Sequence, residues 1–129
     1  MPPTRRPFDI VHIAQTPFPD DPRPRKEVLA ATSLGLRVAV IALQDGLDPR
    51  PVGHHAGAVV VRLPGERRRG SLGKYVAEYT DFLVRAHALM HRDDRFRSAG
   101  VVHVHTLPDF LVAAARPARK RGARIVLDM

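Results

Sequence analysis

The chain has 129 residues, 44% of them hydrophobic, a formal net charge of +8 at pH 7 and no cysteine. The hydrophobic content argues against a disordered chain, and the absence of cysteine excludes a disulfide framework and a thiolate metal site. We expect no nucleic-acid partner, because aromatic residues do not interleave with the basic ones. Without a long apolar run or a signal-like start, residues 1–129 are expected to form a single cytoplasmic domain.

The apolar pattern predicts strands that alternate with helices along the chain. It predicts five strands, at residues 9–14, 37–43, 58–63, 101–105 and 124–128. Residues 15–24 hold four prolines and are expected to form a stiff loop. Residues 44–57 have no helical period and are also expected to be loop. The first helix is expected at about residues 25–34, with Val28, Leu29 and Thr32 facing the core and Gly35 as its stop.

Residues 71–92 carry the clearest helical pattern, because their apolar side chains recur three and four apart. We interpret the aromatic residues of this helix as core rather than as a platform for nucleic-acid bases. The helix that follows the fourth strand has Thr106 and Asp109 as a capping box and Gly122 as its end. Pro117 should bend or shorten it.

This order of elements predicts an α/β fold, a Rossmann-like doubly wound sheet. The sheet should be mostly parallel, with about five strands and helices on both faces. A dinucleotide-binding turn or a P-loop requires glycines after the first strand, and residues 15–24 have none. A phospho-receiver requires an aspartate at the end of the third strand, where this chain has Arg62-Leu63-Pro64.

Two stretches resemble the sequence signatures of glycosyltransferase family 4. In the first, Asp21-Pro22-Arg23 is followed by Lys26-Glu27, Gly35 and the strand at residues 38–42. The second is HVHTLPDFLVAAARPARKRGARIVLDM, at residues 103–129. Together they span most of the chain, from residue 21 to residue 129, in the family's order. The resemblance implies an incomplete N-terminal domain of a GT-B enzyme. It also implies a C-terminal donor-binding domain as a partner, which this sequence does not include.

The resemblance also implies a function. Enzymes of this family transfer a sugar from a nucleotide-sugar donor to an acceptor hydroxyl, usually with retention and without a metal. The expected partners are therefore the donor, which is a substrate rather than a cofactor, and an acceptor of unknown identity. The 129-residue chain alone is expected to be inactive. The alternative is a standalone nucleotide-binding or protein-interaction module without catalysis.

Ligands of open parallel sheets bind at the carboxyl ends of the strands. The expected substrate-binding residues are therefore Gln15, Thr16, Arg23, His105 and Thr106, with no catalytic residue and no metal site assigned. His105 is either a ligand-side residue or a hydrogen-bonded core histidine, and Thr106 is either a helix cap or a substrate contact. Arg23 either clamps a phosphate or sugar, or holds its loop to Glu27.

Three further groups of polar residues have simple interpretations. His103 is expected to be structural. His54-His55 lacks partners for a metal site. Arg67 to Arg69 either contact an anionic membrane surface, which would make the protein peripheral to the inner face of the membrane, or form a solvated loop.

Overall fold

A computed structural model describes residues 7–18, 22–44, 51–63, 72–104 and 116–127. The strands are β1 (Ile10–Pro17), β2 (Val38–Leu43), β3 (Val52–His55), β4 (Ala58–Leu63), β5 (Val101–Val104) and β6 (Arg124–Leu127). The helices are α1 (Pro22–Ser33), α2 (Leu72–Arg92), α3 (Asp94–Arg97) and α4 (Arg116–Arg119). Among the described residues, no helix combines the length and the apolarity that crossing a membrane requires.

The strands form one six-stranded sheet in the order β3-β4-β2-β1-β5-β6. Four of its pairings are parallel, and only the pairing of β3 with β4 is antiparallel. The chain is therefore an α/β protein with a mostly parallel sheet, as the sequence predicted. The five predicted strands are all present, and the sixth, β3, lies at one edge.

Strand β3 shows that the prediction of a loop throughout residues 44–57 was wrong. Val52–His55 pair with β4 through a two-residue hairpin turn, Ala56-Gly57, in which both φ angles are positive, at 51° and 86°. Such a turn suits the twist of the strands and is usually marked by Asn-Gly or Asp-Gly. Alanine rarely adopts a positive φ, so the sequence carries no clear turn signal here.

The strain at Ala56 leads to a stability prediction. Ala56→Asn is expected to raise the free energy of unfolding by about 1 kcal/mol, because asparagine tolerates the left-handed backbone that costs alanine roughly that much. Urea unfolding followed by circular dichroism measures the change. The matched control is Ala30→Asn on the exposed side of α1. There the same substitution should lower stability by about 0.5 kcal/mol, because asparagine is the poorer helix former. A loss of stability at both positions would contradict the prediction.

The proline-rich segment also differs from its prediction. β1 continues to Pro17, and α1 begins at Pro22 rather than near residue 25, so only the middle of residues 15–24 lies between elements. Prolines at Pro22 and Pro24 occupy the first turn of the helix, where backbone N–H groups have no intrahelical partner in any case. The register of β1 against β2 shifts between Ile13 and Pro17, which accommodates a proline at the end of the strand.

The two faces of the sheet carry separate hydrophobic clusters. Helix α1 contributes Val28 and Ala31 to one cluster, together with inward side chains of β2 and β4. We call this side of the sheet the α1 face. Helix α2 contributes Phe82, Ala86 and Met90 to the other cluster, which α3 and α4 also join. Helices therefore pack against both faces, as the sequence predicted.

Details of the helices also test the predictions. In α1, Val28 is buried as predicted. Leu29 was also predicted to face the core but is 45% exposed, and Ala31 is buried instead. The structure confirms the long helix α2 and its aromatic core residue Phe82, and it confirms positive φ angles at the helix stops Gly35 and Gly122. The short helix α3 was not predicted. The start of the last predicted helix, at Thr106 and Asp109, lies outside the described residues.

Candidate functional site

The order of the sheet contains a point at which the direction of the chain reverses. From β1 the chain moves to β2 and β4 on one side, and it then crosses to β5 and β6 on the other. Such a reversal between two parallel strands opens a crevice at their carboxyl ends. In this chain the reversal falls between β1 and β5, which pair from Ile10 with Val101 to Ile13 with Val104, so a crevice is expected beyond the carboxyl ends of these two strands.

Three of the five predicted substrate-binding residues have a described backbone near this crevice. Gln15 and Thr16 belong to the last part of β1, and Arg23 lies in the first turn of α1. Their side chains lie outside the described part of the structure. His105 and Thr106 also lie outside it, directly after β5 ends at Val104.

A group of three polar side chains lies on the α1 face of the sheet. Two come from the neighbouring strands β1 and β5, and the third comes from α1. Nδ1 of His103 in β5 is 2.8 Å from Oε2 of Glu27 in α1. The rings of His12 in β1 and His103 have centroids 5.3 Å apart and planes tilted by 34°. One nitrogen or carboxylate oxygen from each of the three residues lies within 4.8 Å of the other two. We call His12, Glu27 and His103 the polar triad.

The local sequence explains why these side chains meet. Side chains alternate between the faces of a strand, and Val11, Ile13, Val102 and Val104 point into the cluster under α2. His12 and His103 must then point to the α1 face, where they are directly paired in register. Glu27 precedes the buried Val28 and lies at the margin of the buried side of α1.

The burial of the triad differs among its members. His12 is 2% exposed, and the side chains of His103 and Glu27 are 14% and 44% exposed. A carboxylate only accepts hydrogen bonds, so the Nδ1 of His103 is the donor in its contact with Glu27. The contact fixes the orientation of the His103 ring and ties the first half of α1 to β5.

The sequence predicted only part of this group. His103 was expected to be structural, with no partner named, and Arg23 was the expected partner of Glu27 in one of two interpretations. Glu27 contacts His103, and the side chain of Arg23 lies outside the described residues. His12 was not predicted to have a role. The available signal was a histidine between apolar neighbours in each of two strands, Val11-His12-Ile13 and Val102-His103-Val104, which places the two rings side by side if the strands pair in register.

A second polar residue is buried on the same face. Arg62 is 5% exposed and follows Ala58 and Val60 on the α1 face of β4, near its carboxyl end. Its guanidinium lies over Gly53 of β3, where a Cβ atom would come within 2.7 Å of Nη1. Glycine in β3 therefore leaves the space that the arginine occupies.

A double-mutant cycle can measure the strength of the contact between α1 and β5. We expect Glu27→Ala and His103→Ala to be coupled by about 1 kcal/mol in the free energy of unfolding, because the contact is partly withdrawn from water. The control pair is Arg85 with Asp81 on α2, whose side chains are 49% and 50% exposed. Its coupling should be only about 0.3–0.5 kcal/mol. Equal coupling in the two pairs would show that the His103–Glu27 contact adds nothing beyond a surface ion pair.

Comparison of the chain with protein-family models, with curated proteins and with solved structures finds no match.

Proposed function

We propose that the chain is the acceptor-side domain of a glycosyltransferase, which transfers a sugar from a nucleotide-sugar donor to an acceptor hydroxyl with retention. One observation supports this most strongly. The two stretches that resemble family 4 are distant in sequence, yet one residue from each meets in the fold. Glu27 of the first stretch contacts His103 of the second, beside the crevice between β1 and β5.

In the proposed reaction, an acceptor hydroxyl attacks the anomeric carbon of the donor sugar, and the nucleoside diphosphate leaves. The crevice would hold the acceptor, with Gln15, Thr16, Arg23, His105 and Thr106 as its contacts. Arg23 lies in the first turn of a 12-residue helix. Its charge and the positive end of the helix dipole would favour an anionic group there. The resemblance assigns most donor contacts, and the stabilisation of the leaving diphosphate, to a second domain.

The proposed compartment is the cytoplasm. Contact of Arg67 to Arg69 with an anionic membrane surface remains the alternative to a solvated loop. The second candidate function is a nucleotide-binding or protein-interaction module without catalysis. The same crevice favours it, because open parallel sheets bind many ligands at such a reversal of strand order.

Calorimetric titration of the 129-residue chain separates the two candidates. A panel should contain uridine and guanosine diphosphate sugars, ATP and NAD. The proposal predicts weak or no binding of the nucleotide sugars by this chain alone, no turnover, and no specific binding of adenine nucleotides. Saturable one-to-one binding of an adenine nucleotide would favour the module. Sugar transfer by the isolated chain would contradict the assignment of most donor contacts to a second domain.

A further inference from the structure

We propose that the polar triad of His12, Glu27 and His103 binds a divalent transition-metal ion of the zinc class. This site is separate from the proposed sugar transfer, for which the family resemblance implies no metal. The sequence assigned no metal site, and it carries no signal for this one, because the three ligands stand at distant positions and lack the close spacing by which zinc motifs are recognised.

The geometry of the triad supports this proposal. A zinc ion bonds to histidine nitrogens and carboxylate oxygens at about 2.0–2.2 Å, which holds its ligand atoms about 3–4 Å apart. The three donor atoms already lie within 4.8 Å of one another. Small rotations of the side chains would close the remaining distance. The two histidines are fixed on neighbouring strands in direct register, so the sheet itself holds two of the three protein ligands.

The donor set selects the class of ion. Two imidazoles and one carboxylate suit zinc and its neighbours in the first transition row, whereas magnesium and calcium prefer oxygen ligands alone. Three protein ligands leave a further position for water. Glu27 is the most exposed of the three, with 44% of its side chain accessible, and it provides the side from which an ion can enter.

A bound ion would connect three elements that meet beside the crevice. His12 lies in β1, Glu27 in α1 and His103 in β5. Nδ1 of His103 would give up the proton that it donates to Glu27, which would pass to Nε2 of the same ring, and bonds from both residues to the ion would replace their direct contact. It would thereby fix α1, and with it the first turn that carries Arg23, against the sheet. The free energy of binding would add to the stability of the fold.

Titration of the tag-free chain with Zn²⁺ tests the proposal, with Co²⁺ as a spectroscopic probe. We expect one ion per chain, a rise in the melting temperature with Zn²⁺, and the visible absorption of Co²⁺ in a low-symmetry nitrogen and oxygen site. His12→Ala and His103→Ala should each weaken binding on the order of a hundredfold, and Glu27→Gln at least about tenfold. Circular dichroism of each variant reports whether it folds.

The control is a pair of histidines that could bind metal without a built site. His87 and His91 are exposed and lie one turn apart on α2. The double variant His87→Ala/His91→Ala should bind Zn²⁺ as the parent chain does. If the histidine variants of the triad do not fold, Glu27→Gln decides, because its half-exposed side chain keeps its shape. No saturable binding by the parent chain, binding lost in the α2 variant, or binding unchanged in Glu27→Gln would each overturn the proposal.

Discussion

Alanine at Arg23 or at His105, in a glycosyltransferase that contains this chain as proposed, is expected to lower kcat/KM at least about tenfold, or about 1.4 kcal/mol of transition-state stabilisation. Arg23 lies in the first turn of α1, and His105 directly follows β5 in the sequence; both are among the proposed contacts of the acceptor. Loss of a charged or hydrogen-bonding contact to the reacting substrates should lower the rate without unfolding the protein.

The control for this prediction is Arg50→Ala, in a segment with no assigned role. Activity and melting temperature are measured on the same preparations. If both residues instead belong to the scaffold, the variants should melt at lower temperature and keep near-normal turnover in the molecules that stay folded. A His105→Ala variant that is destabilised but spares turnover would place this histidine in the core and contradict its assignment as a substrate contact.

Phe82→Ala is expected to lower the free energy of unfolding by about 3–5 kcal/mol, the usual cost of emptying a buried aromatic site. Phe82 is 1% exposed and packs in the cluster that joins α2 to the sheet. Its loss removes apolar burial and leaves a cavity that the surrounding β-branched strand residues cannot fill. Domains of this size are typically stable by about 5–15 kcal/mol, so the variant should lose a large fraction of its stability.

Val84→Ala on the same helix is the matched control, because Val84 is 60% exposed. Its effect should stay within about 0.5 kcal/mol. Urea unfolding of the two variants tests whether the apolar stripe of α2 faces the sheet as described. Similar losses at Phe82 and Val84 would contradict the assigned orientation of the helix.

The sequence predicted most of the fold because the central parallel strands β1 and β2 are largely buried and the other parallel strands, β4, β5 and β6, are mostly apolar. Such strands appear as short apolar runs, and all five were found at or near their observed bounds. The edge strand β3 was not predicted, because Val52–His55 has little apolar character and its turn depends on an alanine at positive φ. The first turn of α1 was not predicted either, because prolines are typical of loops, although the start of a helix also tolerates them.

The site was predicted less completely, for reasons that lie in the pairing of strands. Sequence patterns indicate which residues end a strand, and they led to the crevice residues of β1 and α1. They do not show which strands become neighbours. Only the adjacency of β1 and β5 brings His12 beside His103, and only the packing of α1 on that face brings Glu27 to both. The polar triad therefore required the tertiary structure.

We propose that this chain contributes the acceptor side of a sugar-transfer enzyme, and one experiment tests this directly. A protein that joins the chain to a donor-binding domain is incubated with a panel of nucleotide sugars and candidate acceptors, and the released nucleoside diphosphate and the sugar in the product are both measured. We expect the two to appear in equal amounts and to fall together in the Arg23→Ala variant. Release of no nucleoside diphosphate with any donor, together with specific binding of an adenine nucleotide, would instead indicate a nucleotide-binding module.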